Sequence, residues 1–146
     1  MSLAVAAAVH ATSFPPIAPA GALPSVLVAE DERKLRLWLV DQFCTIGVVP
    51  WVASSGYDAI RIAGERRPEL ILLDGLLPEM HGFEIARFVR RIDRNYRPHI
   101  VMMTAIYKNV RYRNEARLKY GIDDYLIKPL QPESIAALVE RVKETS

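Results

Sequence analysis

From Ser25 onward the chain alternates short unbroken apolar runs with longer segments whose apolar positions recur every three or four residues. The runs fall at 25–29 (SVLVA), 48–53 (VVPWVA), 70–73 (LILL), 99–103 (HIVMM) and 124–127 (DYLI). Runs of this length, rich in β-branched and aliphatic side chains, predict strands. The segments between them predict helices, most clearly the last, where Ile135, Leu138, Val139 and Val142 occupy positions i, i+3, i+4 and i+7. Gly47, Pro68, Pro98 and Gly121 stand at the predicted helix exits. The pattern is five strands and five helices in strict alternation.

Strict alternation needs crossover connections, which are right-handed and produce a parallel sheet covered by helices on both faces. Strands buried on two faces read as continuous apolar runs, as the first, third and fourth do. The second contains Pro50, which cannot donate to a ladder, so this strand is assigned to a sheet edge. The expected fold is α/β, a flavodoxin-like (βα)5 doubly wound sheet of strand order 2-1-3-4-5. A ligand site is then expected at the carboxyl ends of strands 1 and 3.

The polar residues at those ends are informative. Strand 1 runs into Glu30-Asp31-Glu32, strand 3 into Asp74, strand 4 into Thr104 and strand 5 into Lys128-Pro129. A parallel sheet brings these distant positions to one rim. Carboxylates gathered there repel, and a raised pKa or a bound cation relieves them. One or two carboxylates with the remaining sites left to water or phosphate suit Mg²⁺ better than zinc or calcium. His10, His81 and His99 have no spacing that suggests a soft-metal centre.

The ordered segments VLVAEDE, ILLDGLLPEMHGFE, VMMTA and GIDDYLIKP resemble the response-regulator receiver domain of two-component signalling, over residues 25 to about 144. The resemblance implies that Asp74 is the phosphoacceptor, attacking a phosphohistidine on a sensor histidine kinase or phosphotransfer protein. It implies Mg²⁺ bound directly by Asp31, through water by Glu30, and by Asp74 and the backbone carbonyl of Leu76. Thr104 would bond a phosphoryl oxygen and Lys128 would pair with the carboxylate, then the phosphoryl group. Lys128–Pro129 matches the family's cis bond. Tyr125 matches the aromatic that turns inward when Thr104 follows the phosphate. The surface of helix 4, strand 5 and helix 5, with Arg111, Arg113 and Arg117, would serve a homodimer or an output domain. The chain is expected to be a cytoplasmic switch, not a metabolic enzyme.

Named residues weigh against other readings. A haloacid-dehalogenase phosphatase expects a second Asp two positions after the nucleophile, where Leu76 stands. A dinucleotide-binding fold expects Gly-rich phosphate contacts after strand 1, where Glu30 and Asp31 stand. A pseudo-receiver that ignores phosphate would lack an acid-pair residue, the acceptor or the lysine.

Two positions depart from the family's pattern. Gly75 replaces a larger apolar residue, and a looser loop with closer backbone approach is expected. His81 replaces Asp or Asn before Gly82, and is expected to be an exposed turn residue. The arginines and lysines between Arg87 and Lys119 read as solvated helix faces, without the interleaved aromatics of nucleic-acid binding, so no direct nucleic-acid contact is expected. Tyr112, Ala116 and Tyr120 read as the core stripe of helix 4, and Cys44 as a buried, inert thiol.

Composition adds limits. The 146 residues, 51% hydrophobic and 25% charged, suffice for one domain with a closed core. No apolar run is long enough for a membrane span. Nineteen basic against 17 acidic side chains leave +2, too little to imply nucleic-acid binding. One cysteine excludes a disulfide framework and a Cys-based zinc site. Residues 1–24 are rich in Ala and Pro and carry no charged side chain before Glu30, which predicts a leader or linker without fixed structure ahead of a domain over 25–146. The apolar stretch Leu3 to Val9 lacks the basic flank of a signal peptide.

Overall fold

The computed structural model describes residues 22–105 and 110–145. The leader up to residue 21 lies outside the described residues, as do the side chains of Arg111, Tyr112 and Arg113. The chain runs β1 (Val26–Ala29), α1 (Arg33–Ile46), β2 (Trp51–Ala53), α2 (Gly56–Arg66), β3 (Leu70–Asp74), α3 (Gly82–Arg90), β4 (His99–Thr104), α4 (Val110–Tyr120), β5 (Asp124–Ile127) and α5 (Pro132–Thr145). A small antiparallel hairpin, Leu76–Leu77 with Met80–His81, interrupts the alternation between β3 and α3.

The five strands form one parallel sheet of order β2-β1-β3-β4-β5, the expected flavodoxin-like arrangement. β2 is at the edge, but Pro50 precedes the strand instead of interrupting it. The edge assignment therefore holds for a different reason. A three-residue strand pairs with β1 alone, and proline is tolerated where no ladder bond is asked of it.

Every residue of β1 and β3 is buried. Above them, Ala59, Ile62 and Ala63 of α2 and Ile85, Ala86 and Val89 of α3 close one face. Leu39 and Phe43 of α1 with Ile135, Leu138, Val139 and Val142 of α5 close the other. Burial of each large side chain contributes about 1.5–3 kcal/mol, so a Leu72→Ala cavity in the doubly covered strand would cost about 2–5 kcal/mol. The α5 stripe matches its sequence pattern in full. Cys44 is only half-buried, because it stands one position past Phe43 and so turns off the apolar face of α1.

Local chemistry sets the helix ends. The Ser55 side chain accepts from the backbone N–H of Asp58 at 3.2 Å and starts α2. Gly47, at φ 102°, stops α1 in the left-handed region that glycine enters without strain. Gly121 closes α4 at φ 76°.

The amino ends of the strands are fastened by one arginine. Arg90, at the end of α3, donates to the carbonyls of Pro98 (2.7 Å) and Gly121 (2.7 and 3.1 Å) and to Asp123 Oδ2 (2.7 Å). Asp123 Oδ2 also accepts from the N–H of Ile100 at 2.7 Å, and Tyr96 donates its hydroxyl to the Pro68 carbonyl at 2.6 Å. Arg90 was expected on a solvated face. Its periodicity gives no hint of this role, because the carbonyls it reaches belong to loops distant in sequence.

Candidate functional site

At the carboxyl ends the register of the sheet assembles the expected residues. Glu30 follows β1, Asp74 ends β3 opposite Met103 of β4, and Thr104 stands one residue beyond. Lys128 follows β5, and its backbone N–H donates to the Thr104 carbonyl at 2.7 Å. The Lys128–Pro129 peptide bond is cis.

The charges are close and poorly hydrated. Lys128 Nζ lies 3.1 Å from Glu30 Oε1 and 3.4 Å from Asp74 Oδ1. Glu30 and Asp74 are buried, at 0% and 9% exposure, whereas Asp31 is exposed. Oxygens of all three carboxylates lie within 4.8 Å of one another. Burial pushes Glu30 up to about 7, with hydrogen bonding and like charge from Asp74 adding to the rise and Lys128 opposing it. Burial pulls Lys128 down, but its hydrogen bond and charge pairing with Glu30, and then with Asp74, outweigh this and leave it above its ordinary value. One ammonium thus faces two buried carboxylates and stands nearer Glu30 than the expected partner Asp74. The arrangement is short of positive charge, and its donors are hard oxygens. It fits a small divalent cation such as Mg²⁺.

The backbone around the site is held by groups the sequence reading passed over. Arg36, one turn into α1, donates to the carbonyls of Glu30 (3.0 Å) and Asp31 (3.1 Å) and fixes the acidic loop. The N–H of Glu32 donates to Glu30 Oε2 at 3.2 Å, and that of Leu76 to Asp74 Oδ1 at 3.3 Å. The Leu76 side chain is 73% exposed beside this bond. A helix-borne Arg six residues after a strand-end acid is the signal that could have identified Arg36.

Gly75 does not answer a demand for space. A Cβ there would meet Met102 Sδ and the Met103 carbonyl at 3.6 Å, ordinary contacts. The crowded glycine beside the acceptor strand is Gly82, where a Cβ would come within 2.9 Å of Met102 Cε and 3.0 Å of the Asp74 carbonyl. Close approach is thus required seven residues later than expected, across the hairpin at the start of α3. His81 is exposed, as expected, but it ends the second strand of the hairpin instead of lying in its turn, and it caps α3: its Nδ1 accepts from the N–H of Phe83 at 3.1 Å. Tyr125 is half-buried, pairs in register with Met102 and packs against the core on the α2–α3 side. On α4, Ala116 is buried and Tyr120 stacks on Phe83 at 4.5 Å between ring centres, while Arg117 is exposed.

A family model described as the response regulator receiver domain matches residues 26–140. The chain belongs to this family. Among curated relatives, it is 35% identical over 120 residues to the transcriptional regulatory protein AfsQ1 of Streptomyces coelicolor, covering 82% of this chain and 51% of the relative. To BaeR of Escherichia coli it is 33% identical, covering 82% and 48%. The chain thus spans about half the length of the curated relatives it matches. Among solved receiver folds, the chemotaxis protein CheY4 of Vibrio cholerae aligns with a TM-score of 0.75 at 26% identity, covering 83% of this chain and 99% of that one. The receiver domain of sensor histidine kinase PA1611 from Pseudomonas aeruginosa, solved with magnesium coordinated in its active-site cleft, aligns with a TM-score of 0.71 at 25% identity, covering 84% and 98%. This chain is therefore a receiver domain of the two-component response regulators. Every member of the acid pair, the strand-end aspartate and the lysine is present, and nothing favours a pseudo-receiver. Among the described residues, no helix is long and apolar enough to cross a membrane.

Proposed function

We propose that residues 25–146 form a phosphorylation-driven switch in which Asp74 accepts a phosphoryl group from a sensor histidine kinase or phosphotransfer protein. The observation that carries this is the single ammonium of Lys128 set 3.1 Å from Glu30 and 3.4 Å from Asp74, beside a third carboxylate. In the transfer, an Asp74 carboxylate oxygen forms a bond to phosphorus while the bond from phosphorus to the donor imidazole breaks. The imidazole leaves as the phosphoryl group becomes an acyl phosphate.

Asp31 would hold Mg²⁺ directly, Glu30 through water, with Asp74 and the Leu76 carbonyl completing the protein ligands. Bound there, the ion supplies positive charge to the phosphoryl oxygens. Lys128 offers a second cation and Thr104 a hydroxyl, so the chain's part in the transfer is positioning and charge. Lys128 would exchange part of its contact with Glu30 for the phosphoryl oxygens. Arg36 and the Leu76 N–H keep the acidic loop and Asp74 in place meanwhile. The module promotes its own phosphorylation and dephosphorylation and no metabolic reaction.

Phosphorylated Asp74 presents about two negative charges, roughly one more than the free carboxylate, together with new acceptor oxygens. Thr104 would follow the phosphate and Tyr125 would turn inward, re-shaping the surface of α4, β5 and α5 for a homodimer or an output domain in the cytoplasm. Intact-mass measurement with acetyl phosphate and Mg²⁺ tests the reading. The expected result is one added phosphoryl group, absent in Asp74→Ala and without Mg²⁺. Equal labelling of Asp74→Ala would overturn the assignment.

A further inference from the structure

The carboxyl-terminal halves of α3 and α4 pack side by side and leave a groove of about 260 Å³ between them. Its walls are Arg87 from α3, Arg91 just beyond its end, and Leu118, Lys119 and Tyr120 from α4. Its floor is Arg90 with Gly121, already fastened to each other, so the floor is stiff and its charge is spent. The walls differ from the floor. Among the described residues, neither Arg87, Arg91 nor Lys119 is paired with a carboxylate, and no carboxylate lines the groove.

Apolar side chains stand in solvent beside these cations. Leu118 is 84% exposed and Phe88 is 55% exposed. Along α3 and its C-cap the exposed residues Glu84, Arg87, Phe88 and Arg91 follow i, i+3, i+4, i+7 spacing, so one outward stripe carries both the charges and an aromatic anchor. Packing against the core does not explain that stripe, since Ile85, Ala86 and Val89 already supply the inner face of α3.

We propose that this groove docks an acidic amphipathic helix of a partner protein. Arg87 and Arg91 are one helical turn apart, the spacing at which a docked helix presents carboxylates at i and i+4. Leucine-type anchors of the partner would meet Leu118 and Phe88, with Lys119 pairing at the rim. The concave shape suits a helix ridge better than a flat lipid surface. Nucleic acid is poorly served, because the ring of Tyr120 is already occupied by Phe83 at 4.5 Å. The docking does not depend on the phosphoacceptor reading.

The test uses the whole chain and two synthetic helical peptides. One carries two leucines a turn apart flanked by glutamates, and the other has each glutamate exchanged for lysine. The glutamate peptide should bind and shift the amide signals of Arg87, Arg91 and Leu118. The double variant R87E/R91E, on exposed positions, should bind it at least about tenfold more weakly and should gain affinity for the lysine peptide. Leu118→Ser should weaken the glutamate peptide without changing the charge preference. Equal binding of both peptides by the unaltered chain, an unaffected double variant, or amide shifts centred elsewhere would overturn the proposal. So would self-association abolished by Leu118→Ser, or binding to phosphatidylglycerol vesicles, with the glutamate peptide left unbound.

Discussion

The two ends of the sheet use the same kinds of charged group to opposite effect. At the amino end, Arg90 meets two carbonyls and the Asp123 carboxylate, and Asp123 is further satisfied by the Ile100 N–H. At the carboxyl end, Lys128 faces Glu30 and Asp74 together, and burial with crowding holds Glu30 at about 7. At one end the charges of Arg90 and Asp123 are matched and the Arg90 donors are spent. The other keeps a surplus of negative charge that an incoming cation or phosphoryl group changes. Stability is concentrated where the electrostatics are complete, and chemistry where they are not.

The contrast breaks most visibly through Arg90. Arg90→Ala strands the carbonyls of Gly121 and Pro98 and leaves Asp123 without its cation, an expected loss of about 2–4 kcal/mol in urea unfolding. Phosphoryl incorporation at Asp74, measured on the folded fraction, should be unchanged. A variant that folds normally but no longer labels would show that the two ends are not separable.

Glu30→Gln inverts the pattern. It removes a carboxylate that burial and Asp74 keep from charging, so above about pH 7 the variant should be more stable by about 1 kcal/mol, part of the gain being offset by the lost Lys128 pairing. Mg²⁺ affinity should fall, though less than in Asp31→Ala. Calorimetry with and without Mg²⁺ separates the two effects.

The smallest expected effect sharpens the amino end. Burial holds His99 below its ordinary value of 6.5, with Asp123 opposing and Arg141 and Arg90 reinforcing the fall. Its Nε2 is buried without a hydrogen-bond partner. The unfolded chain therefore binds a proton at this position more readily than the folded one. The resulting contribution to stability is fully present above pH 6.5 and lost as pH falls from there toward the depressed folded value. Glu30 acts in the opposite sense over an overlapping range, so the informative measurement is the difference between His99→Gln and the unaltered chain. The variant should lose stability less steeply on acidification below 6.5.

The legible parts of the molecule were those encoded by local pattern. The α5 stripe and the β3 run declare themselves by period, and Glu30, Asp31, Asp74 and Lys128 by position after an apolar run. Arg90 was not legible, because the backbone carbonyls of Pro98 and Gly121 that it reaches leave no trace in composition or spacing, whereas Arg36 could have been found from its place six residues after the strand-end Glu30. Gly82 was overlooked in favour of Gly75 for a related reason. Its importance comes from Met102 and the Asp74 carbonyl crossing in front of it, a three-dimensional contact without a sequence signature. The cap formed by His81 follows the same rule: an imidazole nitrogen does the work that an Asp or Asn oxygen does elsewhere, and only its bond to Phe83 reveals it.

The central place of β1 also bears on how the domain responds to force. β1 lies between β2 and β3, with parallel ladders on both sides, and Ser25 at its start is linked to Glu69 by the Glu69 N–H to Ser25 Oγ (3.0 Å) and the Ser25 N–H to Glu69 Oε1 (3.2 Å). Tension applied ahead of Ser25 along the strand would load both ladders in shear, many hydrogen bonds at once. Tension applied beyond α5 would peel a surface helix from the sheet a few contacts at a time. The domain therefore has a strong grip and a weak one. A neighbouring segment pulling from the amino side would tow the folded unit intact, whereas one pulling from the carboxyl side would uncover Ile135, Leu138 and Val139 before the sheet gave way.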